Sequence, residues 1–177
     1  EGVRLTTAEG TLSARFLVGA DGANGVVRPL TRAFPGLKKG LALEACVPVA
    51  PDRVEMEFDF GVVECGYGWV FPKHDHVNVG LYTNAPGGKL TREALRAYAL
   101  AKLGVDELQR VIGHPIPLNG ARYVPSSERV FLVGDAAGLV DPLLGDGIYN
   151  AIVSGQAAAT AITAGLSGRD EARRHFV

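Results

Sequence analysis

The chain has 177 residues, of which 47% are hydrophobic and 21% charged, and a formal net charge of −1. That balance suits one globular domain or two small interleaved ones. With no basic run and no RNA-binding or zinc-finger spacing, it excludes a charge-driven nucleic-acid partner.

In chain order, Val3–Thr7 and Thr11–Arg15 alternate around Glu9-Gly10 and predict a hairpin. Phe16–Ala20 is apolar throughout and predicts a buried strand running into Asp21-Gly22. Val26–Ala33 predicts a short helix, with Pro29 near its start and Pro35-Gly36 at its end. Four runs then alternate with period two: residues 41–49, 54–60, 67–71 and 77–81. They predict an antiparallel sheet with one apolar face. Thr91 is a candidate N-cap for a helix through Leu103, ended by Gly104. Residues around Pro115 and Pro117 read as a crossing segment. Val130–Val133 predicts a second buried strand, parallel to the first and followed by a long helix from Gly145 to Gly165. That helix is long enough to span a bilayer. Asp146, Asn150, Ser154, Gln156, Thr160 and Thr163, with its many alanines, make it instead a helix lying on a sheet. The fold class is therefore mixed α/β. Residues 1–40 and 116–177 form one unit, and residues 41–115 an inserted antiparallel sheet with a helix.

Two cysteines, Cys46 and Cys65, fall in predicted strands and read as reduced, buried thiols of a cytoplasmic protein. No CxxC or Cys/His ligand spacing exists, so no metal site is expected. Lys73-His74-Asp75-His76 reads as a solvated turn. No Ser-His-Asp order or carboxylate pair supports hydrolase chemistry.

Three segments suggest a cofactor. Gly134-Asp135 ends a buried strand and is followed by Ala136-Ala137-Gly138. A carboxylate beside small residues at such a strand end can accept from a sugar hydroxyl while a ligand approaches the backbone. Asp21-Gly22, with Arg28 six residues on, repeats the pattern after the first strand. Pro142 and Gly145-Asp146-Gly147-Ile148 open the long helix, whose first N–H groups lack intrahelical partners. These segments resemble the Asp-Gly and Gly-Asp motifs of flavoproteins built like p-hydroxybenzoate hydroxylase. Asn24 stands where serine is commoner there, and Asp146 where glycine is.

A fourth segment, Tyr67-Gly68-Trp69-Val70-Phe71-Pro72, resembles the Tyr-x-Trp-x-Phe-Pro motif of the geranylgeranyl reductase family. Glu64 occupies the place of that motif's first proline. Three aromatics on one strand face can line a slot for a flat or greasy ligand. The interleaved Gly66 and Gly68 free the opposite face, where something must come close.

The resemblance implies part of an FAD-binding, Rossmann-like domain with an inserted substrate domain. It implies that Asp21, Gly22, Arg28, Gly134, Asp135, Pro142, Gly145, Asp146, Gly147 and Ile148 contact FAD. The helix start would then stabilise negative charge on the reduced ring by about 0.3–2 kcal/mol, provided Asp146 turns away. Tyr67, Trp69 and Phe71 would line the substrate slot, with Tyr67 and Trp69 nearest the chemistry. The reaction implied is reduction of prenyl carbon–carbon double bonds, with NAD(P)H or another donor reducing the flavin. The substrate would be an isoprenoid, which implies peripheral contact with a membrane surface. A flavin monooxygenase or halogenase is the first alternative, and a non-catalytic lipid-binding flavoprotein fragment the second. No Gly-x-Gly-x-x-Gly pyrophosphate loop occurs in the sequence, so the chain is expected to be the later part of a longer protein.

Overall fold

The computed structural model describes residues 2–31, 37–118, 123–168 and 176. Its elements in chain order are β1 (Val3–Thr7), β2 (Gly10–Ala14), β3 (Leu17–Gly19), α1 (Val27–Leu30), β4 (Lys38–Val47), β5 (Glu57–Phe60), β6 (Gly66–Pro72), β7 (Val77–Thr83), α2 (Arg92–Leu103), β8 (Gln109–Leu118), β9 (Val130–Leu132) and α3 (Ile148–Leu166). They fall into two units, Glu1–Lys38 with Pro117–Val177, and Lys39–Ile116.

In the first unit, β1 and β2 pair from Val3↔Ala14 to Thr7↔Gly10. The turn is therefore Ala8-Glu9, one residue earlier than expected. Gly10, at φ +138, opens the second strand. β3 and β9 are parallel neighbours, in register Leu17↔Val130 to Gly19↔Leu132. The apolar run at Val130 is buried on both faces. Phe131 and Val133 pack on Ala158 and Ala161 of α3, while Leu132 packs on Val27 and Ala137. The alanines of α3 let it lie close to β9. Gly19 is required at its position, because a Cβ there would lie 2.6 Å from the Leu132 side chain. The predicted helix end at Pro35-Gly36, with Ala33, lies outside the described residues.

The second unit is a five-stranded sheet in the order β5-β6-β7-β4-β8. β4 with β7, β5 with β6, and β6 with β7 pair antiparallel. Two expectations are corrected here. First, residues 109–118 form a strand despite Pro115 and Pro117. β8 is an edge strand, where a missing N–H leaves no partner unsatisfied. Second, the sheet has two unlike apolar faces rather than one. Leu43, Ala45, Val47, Val70, Val77, Val79 and Leu81 pack with Leu95, Tyr98 and Ala99 of α2. Tyr67, Trp69, Tyr82 and Phe71 form a separate aromatic cluster. Alternation along one strand cannot say which of its two faces meets the helix, and the aromatic run of β6 is out of phase with its own Val70. The strand expected from Val54 also starts late, at Glu57, after a 3-10 turn over Pro51–Arg53.

α2 begins as expected. Thr91 Oγ1 accepts from Ala94 N–H at 3.1 Å, and Gly104 at φ +69 closes the helix. Polar contacts also tie it to β5: Lys102 Nζ lies 2.7 Å from both Glu57 Oε2 and Asp59 Oδ2, and Tyr98 O–H donates to Asp59 at 2.8 Å. The Lys102 ammonium holds the Asp59 carboxyl below its ordinary range.

The glycines of β6 have a different reason from the expected one. A Cβ at Gly68 would lie 2.5 Å from the Tyr98 ring, and one at Gly66 would strike the Tyr82 carbonyl. What comes close is the protein's own α2 and β7, not a ligand. Cys65 is likewise exposed rather than buried. It sits in the turn before β6 at φ +47, while Cys46 in β4 is half-buried.

Candidate functional site

The Asp-Gly segment after β3 folds back on itself. Asp21 Oδ2 accepts from Val26 N–H at 2.6 Å and Val27 N–H at 3.0 Å, so this carboxylate caps the start of α1. Gly25 has to be glycine, since a Cβ there would collide with the Asp21 carboxyl. Gly22, at φ +78, makes the turn between them.

Arg28 joins this loop to the second motif. Its guanidinium is buried and donates to Ala23 O at 2.9 Å, Ala136 O at 3.0 Å and Asp135 O at 3.4 Å. The two motifs, more than a hundred residues apart in sequence, are thus adjacent in space. Arg28 does this through backbone carbonyls, and Asp21 spends one oxygen on its own loop.

Asp135 is different. It lies in a 3-10 turn, Gly134–Ala137, directly after β9. Its carboxylate accepts no hydrogen bond among the described residues. It is half-buried, and desolvation pushes its carboxyl above the ordinary range. A Cβ on Gly147 would lie 2.9 Å from Asp135 Oδ1, and a Cβ on Gly134 (φ +53) 3.0 Å from Ala151. A partly desolvated, unpartnered acceptor between two glycines is a cradle for a hydroxyl-bearing ligand. The residues present therefore fit the ribityl chain of a flavin.

The start of α3 is built by residues that sequence reasoning passed over. Asp141 Oδ1 accepts from Leu143 N–H and Leu144 N–H at 2.9 and 2.7 Å, and Asp141 N–H donates to Asp146 O. This closes the loop that carries Pro142 and Gly145, the latter at φ +68. Asn150 Nδ2 donates to Leu139 O at 2.6 Å. Ser154 Oγ accepts from Gly134 N–H at 2.9 Å and donates to Asn150 O at 2.6 Å, which ties α3 to the Gly-Asp turn. Asn and Ser four apart on an alanine-rich helix were the available signal. Asp146 Oδ1 accepts from Ile148 N–H at 3.0 Å. Its carboxylate therefore sits on the helix start and takes one of the first N–H groups.

The second constellation lies in the sheet unit. Tyr67, Trp69 and Tyr82 are buried, and together with Phe58, Phe60 and Phe71 they form a chain of ring contacts at centroid distances of 5.1–6.1 Å, with Tyr82 joined through Tyr67. Phe58 and Phe60, on edge strand β5, are exposed. Trp69 lies flat across β7 because Gly80 opposite it has no side chain; any Cβ there would enter the indole ring. Gly80→Ala is expected to destabilise this unit by about 1–3 kcal/mol through overpacking. Denaturant unfolding followed by tryptophan emission checks this, and an unchanged midpoint would contradict the packing.

The turn at Lys73–His76 is closed by Lys73 N–H to His76 O at 2.8 Å, and His76 Nδ1 meets Asp75 Oδ1 at 2.6 Å. Among the described residues no group of three or more His, Cys, Asp or Glu could hold a metal ion. Among them, too, no helix is long and apolar enough to cross a membrane.

No family model matches the chain. The geranylgeranyl diphosphate reductase of Oryza sativa chloroplasts is 39% identical over 88% of this chain and 35% of its own length. That of Rhodobacter capsulatus is 33% identical over 92% of this chain and 43% of its own. The chain thus spans less than half the length of these curated relatives. Among solved structures, a geranylgeranyl bacteriochlorophyll reductase-like protein from Thermoplasma acidophilum has a TM-score of 0.77, at 24% identity, over 99% of this chain and 48% of that one. A halogenase in complex with FAD has a TM-score of 0.67, at 18% identity, over 99% of this chain and 42% of its own. The fold is that of FAD-binding flavoproteins, and the resemblance to geranylgeranyl reductases read from the motifs extends along almost the whole chain.

Proposed function

We propose, from this kinship with geranylgeranyl reductases, that the chain is the later part of an FAD-dependent oxidoreductase that reduces prenyl double bonds. The observation that carries the reading is the Asp135 carboxylate, half-buried and unpartnered between Gly134 and Gly147. Without a ligand such a group is a stability cost, which a bound hydroxyl offsets. Asp135 would hold the ribityl chain. The Gly145–Ile148 segment would face the ring; the Asp146 carboxylate does not turn away as expected but sits on Ile148 N–H, where it takes a helix-start donor and would oppose negative charge on the reduced ring. Asp21, Gly22 and Arg28 would fix the loop on the other side of the cradle, and Pro142 would shape the approach to the helix.

When bound and reduced, FAD supplies a hydride to carbon; the protein supplies binding, orientation and dryness. NAD(P)H, or another donor, would reduce it. Tyr67, Trp69 and Phe71 present hydrocarbon and ring faces suited to an isoprenoid, and Tyr67 is the nearest proton-bearing side chain by type. A lipid-like substrate would bring the protein to a membrane surface as a peripheral visitor. The halogenase and monooxygenase alternative is supported by fold likeness alone, whereas the sequence kinship lies with the reductases.

The test uses the full open reading frame. The purified protein is expected to be yellow, and the reduced form to be reoxidised by geranylgeranyl diphosphate in the absence of oxygen. A colourless protein overturns the cofactor. Reoxidation only by oxygen, with hydroxylated or halogenated product, favours the alternative.

A further inference from the structure

A row of hydrogen bonds runs across the aromatic face through β6, β7, β4 and β8. Trp69 Nε1–H donates to Asn78 Oδ1 at 2.7 Å. Asn78 Nδ2 donates to Glu44 Oε2 at 3.2 Å. The other carboxylate oxygen, Glu44 Oε1, lies 3.2 Å from His114 Nε2. Every direction in the row follows from donor chemistry. An indole N–H only donates, so the amide oxygen of Asn78 faces it and the amide nitrogen faces Glu44. An ionised Glu44 only accepts, so His114 carries a proton on Nε2.

The register explains why Trp69, Asn78 and Glu44 meet. Trp69 and Glu44 both lie opposite Gly80 of β7, on its two sides, and Asn78 is two residues along on the same face. The bare Gly80 lets the indole reach across to Asn78. The row also has a chemical consequence. Left unpaired, the buried indole N–H would cost stability and would select a ligand carrying an acceptor. Turned onto Asn78, it leaves only the carbon edge and face of the ring for a ligand.

We infer that Asn78 is a positioning residue for Trp69, with Glu44 selecting its amide orientation, so that the indole lines the ligand site as a fixed, purely hydrocarbon wall. The role in prenyl binding rests on the function proposed above; the positioning itself does not.

Trp69 is the sole tryptophan of the sequence, so its emission reports this row alone. Asn78→Asp sets two carboxylates against each other. Asn78→Asp combined with Glu44→Gln reverses the polarity and restores every donor to an acceptor: indole to the new carboxylate, new amide to the same carboxylate, and His114 to the new amide oxygen. In the 177-residue chain, Asn78→Asp is expected to red-shift Trp69 emission and to raise its acrylamide quenching constant about threefold or more. The paired variant is expected to return both to wild-type values. Unchanged emission in Asn78→Asp, or a folded paired variant that stays red-shifted, overturns the inference. If Asn78→Asp alone does not fold, the paired variant decides: wild-type emission supports the inference, and shifted emission or failure to fold overturns it. In the full open reading frame, the KM for geranylgeranyl diphosphate should rise in Asn78→Asp and recover in the pair. Absence of any turnover by the wild type would overturn the proposed substrate, while the fluorescence pair still decides the positioning of Trp69.

Discussion

Replacing Asp135 by alanine is expected to weaken FAD binding by about tenfold to a hundredfold in the full open reading frame, since a hydrogen bond to a charged group contributes about 1.5–3 kcal/mol. Asp135→Asn keeps an acceptor of the same shape and should lose less. The same carboxylate sets a pH dependence. Desolvation holds its folded-state carboxyl above the ordinary range, so the folded chain binds the proton more tightly than the unfolded chain does. The favourable contribution is therefore present below the ordinary carboxyl range and is lost as pH rises through the folded value. At neutral pH the ionised Asp135 lowers stability, and Asp135→Asn should raise the Tm while it weakens FAD. Affinity for FAD should fall on acidification, beginning at a higher pH than an ordinary carboxylate would dictate. Flavin fluorescence titration and thermal unfolding measure the two sides. An asparagine variant that neither gains stability nor loses flavin would show that Asp135 does not meet the cofactor.

Arg28→Ala is expected to cost the first unit about 3 kcal/mol, the loss of two short and one long charge-assisted bonds from a buried guanidinium. More than stability is at stake, because those bonds hold the Asp21 loop against the Gly134–Ala137 turn. Flavin affinity should fall with it even though the guanidinium is spent on backbone carbonyls. Arg28→Lys should recover less than half of the loss, since one ammonium cannot span Ala23 O and Ala136 O as the planar fork does. Hydrogen exchange at Leu132 and Val133, buried in β9 and just after it, reports the unit separately from the sheet. Wild-type protection in the alanine variant would show that the brace is dispensable.

Part of this arrangement could be read directly from residue order. Val130–Val133 is apolar at every position, which only a strand covered on both sides tolerates, and β9 is covered by α3 on one side and by Val27 and Ala137 on the other. Thr91 and Gly104 bracket α2 because capping is local chemistry within four residues. The motif pair, Asp21-Gly22 and Gly134-Asp135, marked the right strand ends.

Other features answer to partners far away in sequence. Pro115 and Pro117 look like strand breakers until the sheet order places them on an edge. Gly66, Gly68 and Gly80 look alike on paper, but one meets backbone, one receives Tyr98 and one receives Trp69. Arg28 takes one carbonyl, Ala23 O, from its own loop, but Ala136 O reaches it only through the β3–β9 pairing.

By itself the sequence determined what is local or periodic: the buried strands, the helix ends, and the carboxylates at the strand tips. Backbone sterics and hydrophobic spacing act over a few residues and leave their mark in residue order. Only the tertiary structure decided which carboxylate is spent and which is free, and which way the indole of Trp69 is turned. Hydrogen-bond partnership depends on which chain segments meet, and Asp21 finds its donors in its own loop, whereas Asp135, set between glycines, finds none among the described residues.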